Sequence, residues 1–165
     1  MHPYRAVILI LLLAACASSQ KTPTNSHVKP MSYPVAPKTS RADIMTESII
    51  TLSGFRFTIE FADGKLNFEA LRTNWRLSTQ VLRSESGDEK TLQVRDRAIL
   101  HLSSRGVQSD RTTVVASTLE FEMEMKGSKK DKWIDVAPDP AFQEQYAAIV
   151  NELQNRLRHR GYQFN

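Results

Sequence analysis

Apolar and polar residues alternate along much of this chain. Phe55, Phe57, Ile59 and Phe61 are separated by Arg56, Thr58 and Glu60. A period of two marks a half-buried strand. Asp63-Gly64 follows, a pair favoured in two-residue type I′ turns. Folding the chain there sets Phe61 opposite Leu66, Ile59 opposite Phe68 and Phe57 opposite Ala70, all on one face. A second apolar face runs through Leu92, Val94, Ala98, Leu100 and Leu102, interrupted by Asp96. A third runs through Val115, Leu119, Phe121, Met123 and Met125, alternating with Glu120, Glu122 and Glu124. Placing Val94 opposite Met123 and Ala98 opposite Leu119 also sets Arg95 opposite Glu122 and Arg97 opposite Glu120, so both faces are satisfied.

Residues 71–83 fit two periods. Phe68, Leu71, Trp75 and Leu82 suit a helical stripe, whereas Trp75, Leu77, Thr79 and Val81 suit a strand. The preceding hairpin favours a strand that shifts face near Arg72–Asn74. Trp133 to Val136 is read as a short strand. The last element is a helix. Asp139 caps it, Pro140 suits its first turn, and Gly161 stops it. Phe142, Tyr146, Ile149, Val150, Leu153 and Leu157 form one apolar stripe, and Arg156, Arg158, His159 and Arg160 complement the helix dipole. The expected fold is α+β: an antiparallel meander of about 4–5 strands packed against one C-terminal amphipathic helix. The domain is expected over residues 46–165.

The N-terminus has a different character. Arg5 precedes an uninterrupted apolar run, Ala6 to Ala15. About ten residues is half of what a membrane-spanning helix needs, and matches the core of an export signal. Leu13-Ala14-Ala15-Cys16 then resembles the lipobox of bacterial lipoproteins. The resemblance implies cleavage before Cys16, a diacylglycerol on its thiol and acylation, with palmitate, of the new amino group. Ala17, in place of Asp, implies sorting to the outer membrane, facing the periplasm. Ala15-Cys16-Ala17 also fits a plain secretory cleavage site, which is the alternative. Residues 16–45 carry Pro23, Pro30, Pro34 and Pro37 among Ser, Thr and Lys without any period, and are expected to be a disordered tether.

Charge changes the picture once it is divided. The chain holds 22 basic and 18 acidic side chains. Lys21, Lys29, Lys38 and Arg41 face only Asp43 within residues 16–45, while the domain itself is neutral. A basic surface for nucleic acid is therefore not expected. One cysteine excludes a disulfide framework within the chain.

Candidate chemistry is sparse. No nucleophile elbow, phosphate loop, zinc-protease helix motif or dinucleotide fingerprint occurs, and no catalytic residue, metal ligand or cofactor is nominated. His101 and His159 are read as surface residues. The Glu120, Glu122 and Glu124 row is read as a solvated face paired with arginine rather than a cation site. Asp96, an acid on an apolar face, is read as a bulge or register change rather than a buried functional carboxylate. Trp75 and Trp133 are candidate anchors for a partner or ligand, with a place in the core as the preferred alternative. Lys126, Lys129, Lys130 and Lys132 form a basic turn that suits anionic lipid or an acidic partner, against a default of plain solvation.

The expected function is that of a non-catalytic adaptor lipoprotein. It would be held in the membrane by acylated Cys16 and bind a protein complex of envelope transport, secretion or assembly. A carrier of lipid or amphiphile, lined by Phe55, Phe57, Ile59, Phe61, Met123 and Met125, is the alternative. An envelope hydrolase ranks last, because no nucleophile–base pair can be named.

Overall fold

The two longest alternating runs become the two central strands of one antiparallel sheet. The computed structural model describes residues 28–62, 69–83, 89–104, 113–127 and 132–164. In chain order the elements are β1 (Met31–Ser40), α1 (Arg41–Gly54), β2 (Ile59–Ala62), β3 (Glu69–Thr73), β4 (Arg76–Arg83), β5 (Glu89–Ser104), β6 (Thr113–Gly127), β7 (Ile134–Asp135) and α2 (Pro140–His159). The α+β class and the C-terminal helix are as expected. Among the described residues the sheet has seven strands rather than four or five, and a second helix joins α2. It is not a simple meander either, since β1 crosses over to pair with β6.

β5 pairs with β6 through Val94↔Met125, Asp96↔Met123, Ala98↔Phe121 and Leu100↔Leu119. This is two residues from the expected register. An even shift leaves every side chain on its face, so the core assignment survives. The observed register puts small Ala98 opposite Phe121. The Phe121 ring stacks on Tyr146 of α2, with centroids 4.1 Å apart and planes 3° from parallel. Ala98, Leu100 and Leu102 are buried on this face with Leu119 and Phe121, against Ile149, Val150, Leu153 and Leu157, and Val94 and Met123 are buried farther along it. The helix ends as its sequence indicates: Asp139 Oδ1 accepts from the Phe142 amide at 3.0 Å, and Gly161 takes a left-handed φ of 92°.

Residues 71–83 are strand, broken where the face was expected to shift. β3 and β4 lie end to end along β5. At the break Thr73 Oγ1 accepts from the Ala98 amide at 2.9 Å, and the Asn74 amide donates to the Thr58 carbonyl at 2.8 Å. A side chain thus satisfies the buried donor that the interrupted ladder leaves.

The first hairpin needs correction. Ile59 pairs with Thr73 and Ala62 with Leu71, not Ile59 with Phe68. The Asp63-Gly64 turn lies outside the described residues. The alignment of β3 on β5 decides the register, because it buries Ala70, Leu71 and Thr73. Phe61 is left 42% exposed, and the alternation of 55–61 is broken by a bulge between Ile59 and Phe61.

The tether expected over residues 16–45 also needs correction from Met31 onward. β1 is an edge strand, where Pro34 and Pro37 are tolerated because the missing N–H need not pair. Its pairing slips between those prolines. Ser117 bridges the slip, accepting from the Ala36 amide at 3.0 Å and donating to the Ala36 carbonyl at 2.9 Å. α1 begins directly afterwards, with Ser40 Oγ capping the Asp43 amide. Its buried positions are Ile44, Glu47, Ser48, Thr51 and Leu52, with Met45 and Ile49 partly buried against the core, so polar residues interrupt its apolar stripe. Arg160, beyond the end of α2, holds Glu47 at 2.6 Å and Asp43 at 2.7 Å. Tyr162 donates to Asp43 at 2.5 Å. The basic end of α2 therefore clamps α1 as well as serving its own dipole.

Candidate functional site

Both helices pack on one face of the sheet, and the other face gathers the aromatic and charged residues of interest. Odd positions of β5 and even positions of β6 point there. Arg95 donates to Glu124 Oε2 at 2.7 Å, and Arg97 to Glu122 Oε2 at 2.6 Å. His101 Nε2 lies 2.5 Å from Glu120 Oε2. Glu122 and Glu124 are thus paired with arginine, as expected in kind, and Glu120 is held by His101, which was expected to be a plain surface residue. The partners are one step along from those expected, because of the shifted register. Among the described residues no group of three or more His, Cys, Asp or Glu side chains is placed to hold a metal.

Trp75 and Trp133 frame this face. Trp75 sits at the break between β3 and β4, and Trp133 just before β7. The Arg95 guanidinium carbon is 4.5 Å from the Trp75 ring centroid and 4.3 Å from that of Trp133. Arg97 lies 4.5 Å from the Trp75 ring. Arginine is thereby held between two indoles by charge–quadrupole attraction while its N–H groups bind carboxylate. Neither tryptophan is in the core; both are half-buried, which corrects the preferred alternative of the sequence reading. The cause is position: the break before β4 and the start of β7 turn both rings to the face opposite the helices. Lys126 is half-buried on β6 and Lys132 is exposed beside Trp133. Lys129 and Lys130 lie outside the described residues, as do Cys16 and Ala17.

A second polar cluster lies under the helices, and the sequence reading missed its partners. Asp96 is fully buried in an unbroken stretch of the β5–β6 ladder. It therefore marks neither a bulge nor a register change. Arg76 Nε donates to its Oδ1 at 3.0 Å and Nη2 to its Oδ2 at 2.6 Å, a bidentate pair. Tyr146 donates to Oδ2 at 3.1 Å. Arg76 also reaches the Phe55 carbonyl at 2.9 Å and Gln145 Oε1 at 3.0 Å, and stacks 4.1 Å from the Phe57 centroid. Burial, and then the Asp96 charge, push the Tyr146 hydroxyl well above the usual tyrosine range. A usable signal existed: an acid at a core position calls for a cation at a core position on the next strand, and Arg76 pairs directly with Asp96. These contacts tie β4, β5, α2 and the end of α1 together.

No protein-family model matches the chain, and no curated protein matches it.

Proposed function

We propose that this protein is a lipoprotein anchored through acylated Cys16 in the outer membrane and facing the periplasm. Its domain acts as a non-catalytic adaptor, docking a protein of an envelope transport, secretion or assembly complex. The anchor reading rests on Leu13-Ala14-Ala15-Cys16 at the end of the apolar run, and the sorting on Ala17. The adaptor reading rests on one observation: Trp75 and Trp133 meet around Arg95 on the sheet face that the helices leave uncovered. Half-buried tryptophan and arginine are the residue types that dominate binding energy in protein interfaces. β1 starts at Met31, so about fourteen residues join Cys16 to the domain, a reach of at most about 50 Å from the membrane.

The lipid-carrier alternative draws less support. The residues nominated to line its cavity do not line one space: Phe57 is buried against Phe121, while Phe61 is exposed. The space between sheet and α2 is filled by stacked Phe121 and Tyr146 and the buried leucines.

In-cell photo-crosslinking from Lys126, Lys132 and exposed Asn151 of α2 tests the proposal. A discrete protein adduct from the two lysines, weakened by Trp75→Ala, is expected. Lipid adducts alone would overturn the adaptor reading in favour of the carrier.

A further inference from the structure

The two long borders of the sheet are built differently, and the difference points to a mode of binding. The border at β6 is blunted: β1 brings two prolines and a slipped pairing, and β7 covers the next stretch. Proline and bulges are how edge strands avoid pairing with other chains. The opposite border is shared by β2, paired to β3, and β4, paired to β5; β4 is the longer of the two. It pairs with β5 at all eight positions from Arg76 to Arg83, without a bulge. β4 contains no proline, glycine or acid, and among the described residues no strand pairs with its other side. Leu77 on this strand is 70% exposed, the most exposed of the large apolar residues described.

A groove of about 460 Å³ runs beneath that free edge, between β4, the end of α1 and the first turn of α2. Phe55 and Phe142 supply its apolar walls, and Arg56, Arg76, Ser78 and Gln145 its polar lining. Among the described residues no carboxylate lines it. Arg76 is neutralised from behind by Asp96, whereas Arg56 is exposed and has no acidic partner among the described residues, so it is the cation offered to a ligand there. An added Cβ on Gly54 would meet nothing within 4 Å, so the wall stays open there.

We propose that β4 and this groove take up an extended segment of the partner protein by strand addition. The segment alternates apolar side chains, which enter the groove between Phe55 and Phe142, and carries a carboxylate that meets Arg56. Main-chain hydrogen bonds to β4 supply affinity and the groove supplies selectivity, as in strand-addition complexes generally. A second copy of this chain is a poor occupant. Centred antiparallel self-pairing of β4 would set Arg76 opposite Arg83 at both ends, and like charges directly opposite repel. The proposal rests on the adaptor reading above and names the chemistry of its partner.

The test uses the full chain in detergent micelles with a labelled ten-residue peptide of alternating valine and serine in which one groove-facing valine is replaced by glutamate. The matched peptide with lysine at that position is the control. Fluorescence anisotropy reads binding, and amide hydrogen exchange reads where it occurs. The expected result is saturable binding of the glutamate peptide, at least tenfold tighter than the lysine peptide. The β4 amides slow in exchange, and Arg56→Glu reverses the preference. Because Arg56 is exposed, that variant keeps the fold, and an unchanged exchange pattern in α2 confirms it. Equal binding of both peptides, no binding, or protection that spares β4 would overturn strand addition. Concentration-dependent protection of β4 without peptide would overturn it in favour of a second copy. In each case the crosslinking result at Lys126 and Lys132 still decides the adaptor reading separately.

Discussion

The two faces of the sheet use the same pair of functional groups to opposite ends. Beneath the helices, Arg76 grips Asp96, with the Asp96 side chain fully buried and that of Arg76 17% exposed. On the open face, Arg95 grips Glu124 and Arg97 grips Glu122 at similar distances, but all four side chains keep 18–33% of their exposure. Distance therefore does not separate the pairs; solvent does. Water and salt screen the open pairs, so each contributes roughly 0–1 kcal/mol. Asp96 has lost its hydration, and removing Arg76 leaves its charge with only the Tyr146 hydroxyl to answer it. The open face can exchange its partners for those of another protein, whereas the closed face cannot.

This contrast is sharpest in the response to truncation. Arg76→Ala should lower unfolding free energy by about 3–5 kcal/mol, because Asp96 is left buried and unpaired. Urea denaturation followed by circular dichroism measures this, and a loss below about 1 kcal/mol would erase the distinction between the faces. Replacing both partners, Arg76→Met with Asp96→Leu, should recover most of the loss, since an apolar pair leaves no orphaned charge.

Tyr146→Phe keeps the stack on Phe121 but removes a hydrogen bond to the Asp96 carboxylate. The expected cost is about 1.5–3 kcal/mol. The same hydroxyl makes the domain sensitive to alkali. Its folded-state pKa is raised, so above about pH 10 the unfolded chain releases a proton that the native state still holds. Stability from this group is complete below that pH and falls as pH rises further, by up to about 1.4 kcal/mol per pH unit. Denaturation midpoints measured from pH 8 to 11 should show this decline, and it should shrink in Tyr146→Phe.

Arg97→Ala should have the smallest effect, less than about 1 kcal/mol, with most of it absent in molar salt. A large, salt-insensitive loss would mean that the open face is structural rather than free to bind.

Much of the fold was legible because burial follows period. The stripe of α2, its Asp139 cap and the core positions of β5 and β6 were all visible in spacing alone. The parity of those strands survived an error of two residues in their register. β1 and α1 were not legible, for a reason shared by both. β1 is held by its place at the edge beside β6, where its prolines do no harm. α1 is held by Glu47 answering Arg160 and Arg156 from elsewhere in the chain. Of the candidate site, the tryptophans could be named but not placed. Asp96 was noticed on the correct face, yet its partner Arg76 sat in a segment whose period was ambiguous.

The sequence by itself determined which residues face the core of the central strands and of the last helix. It also determined the carboxylate row and the N-terminal resemblance, since these are properties of neighbouring residues. Only the tertiary structure decided which strands flank the central pair, which border of the sheet is left open, and which cation answers each acid. Those depend on contacts between residues twenty to more than a hundred positions apart, and local pattern carries no record of such distances.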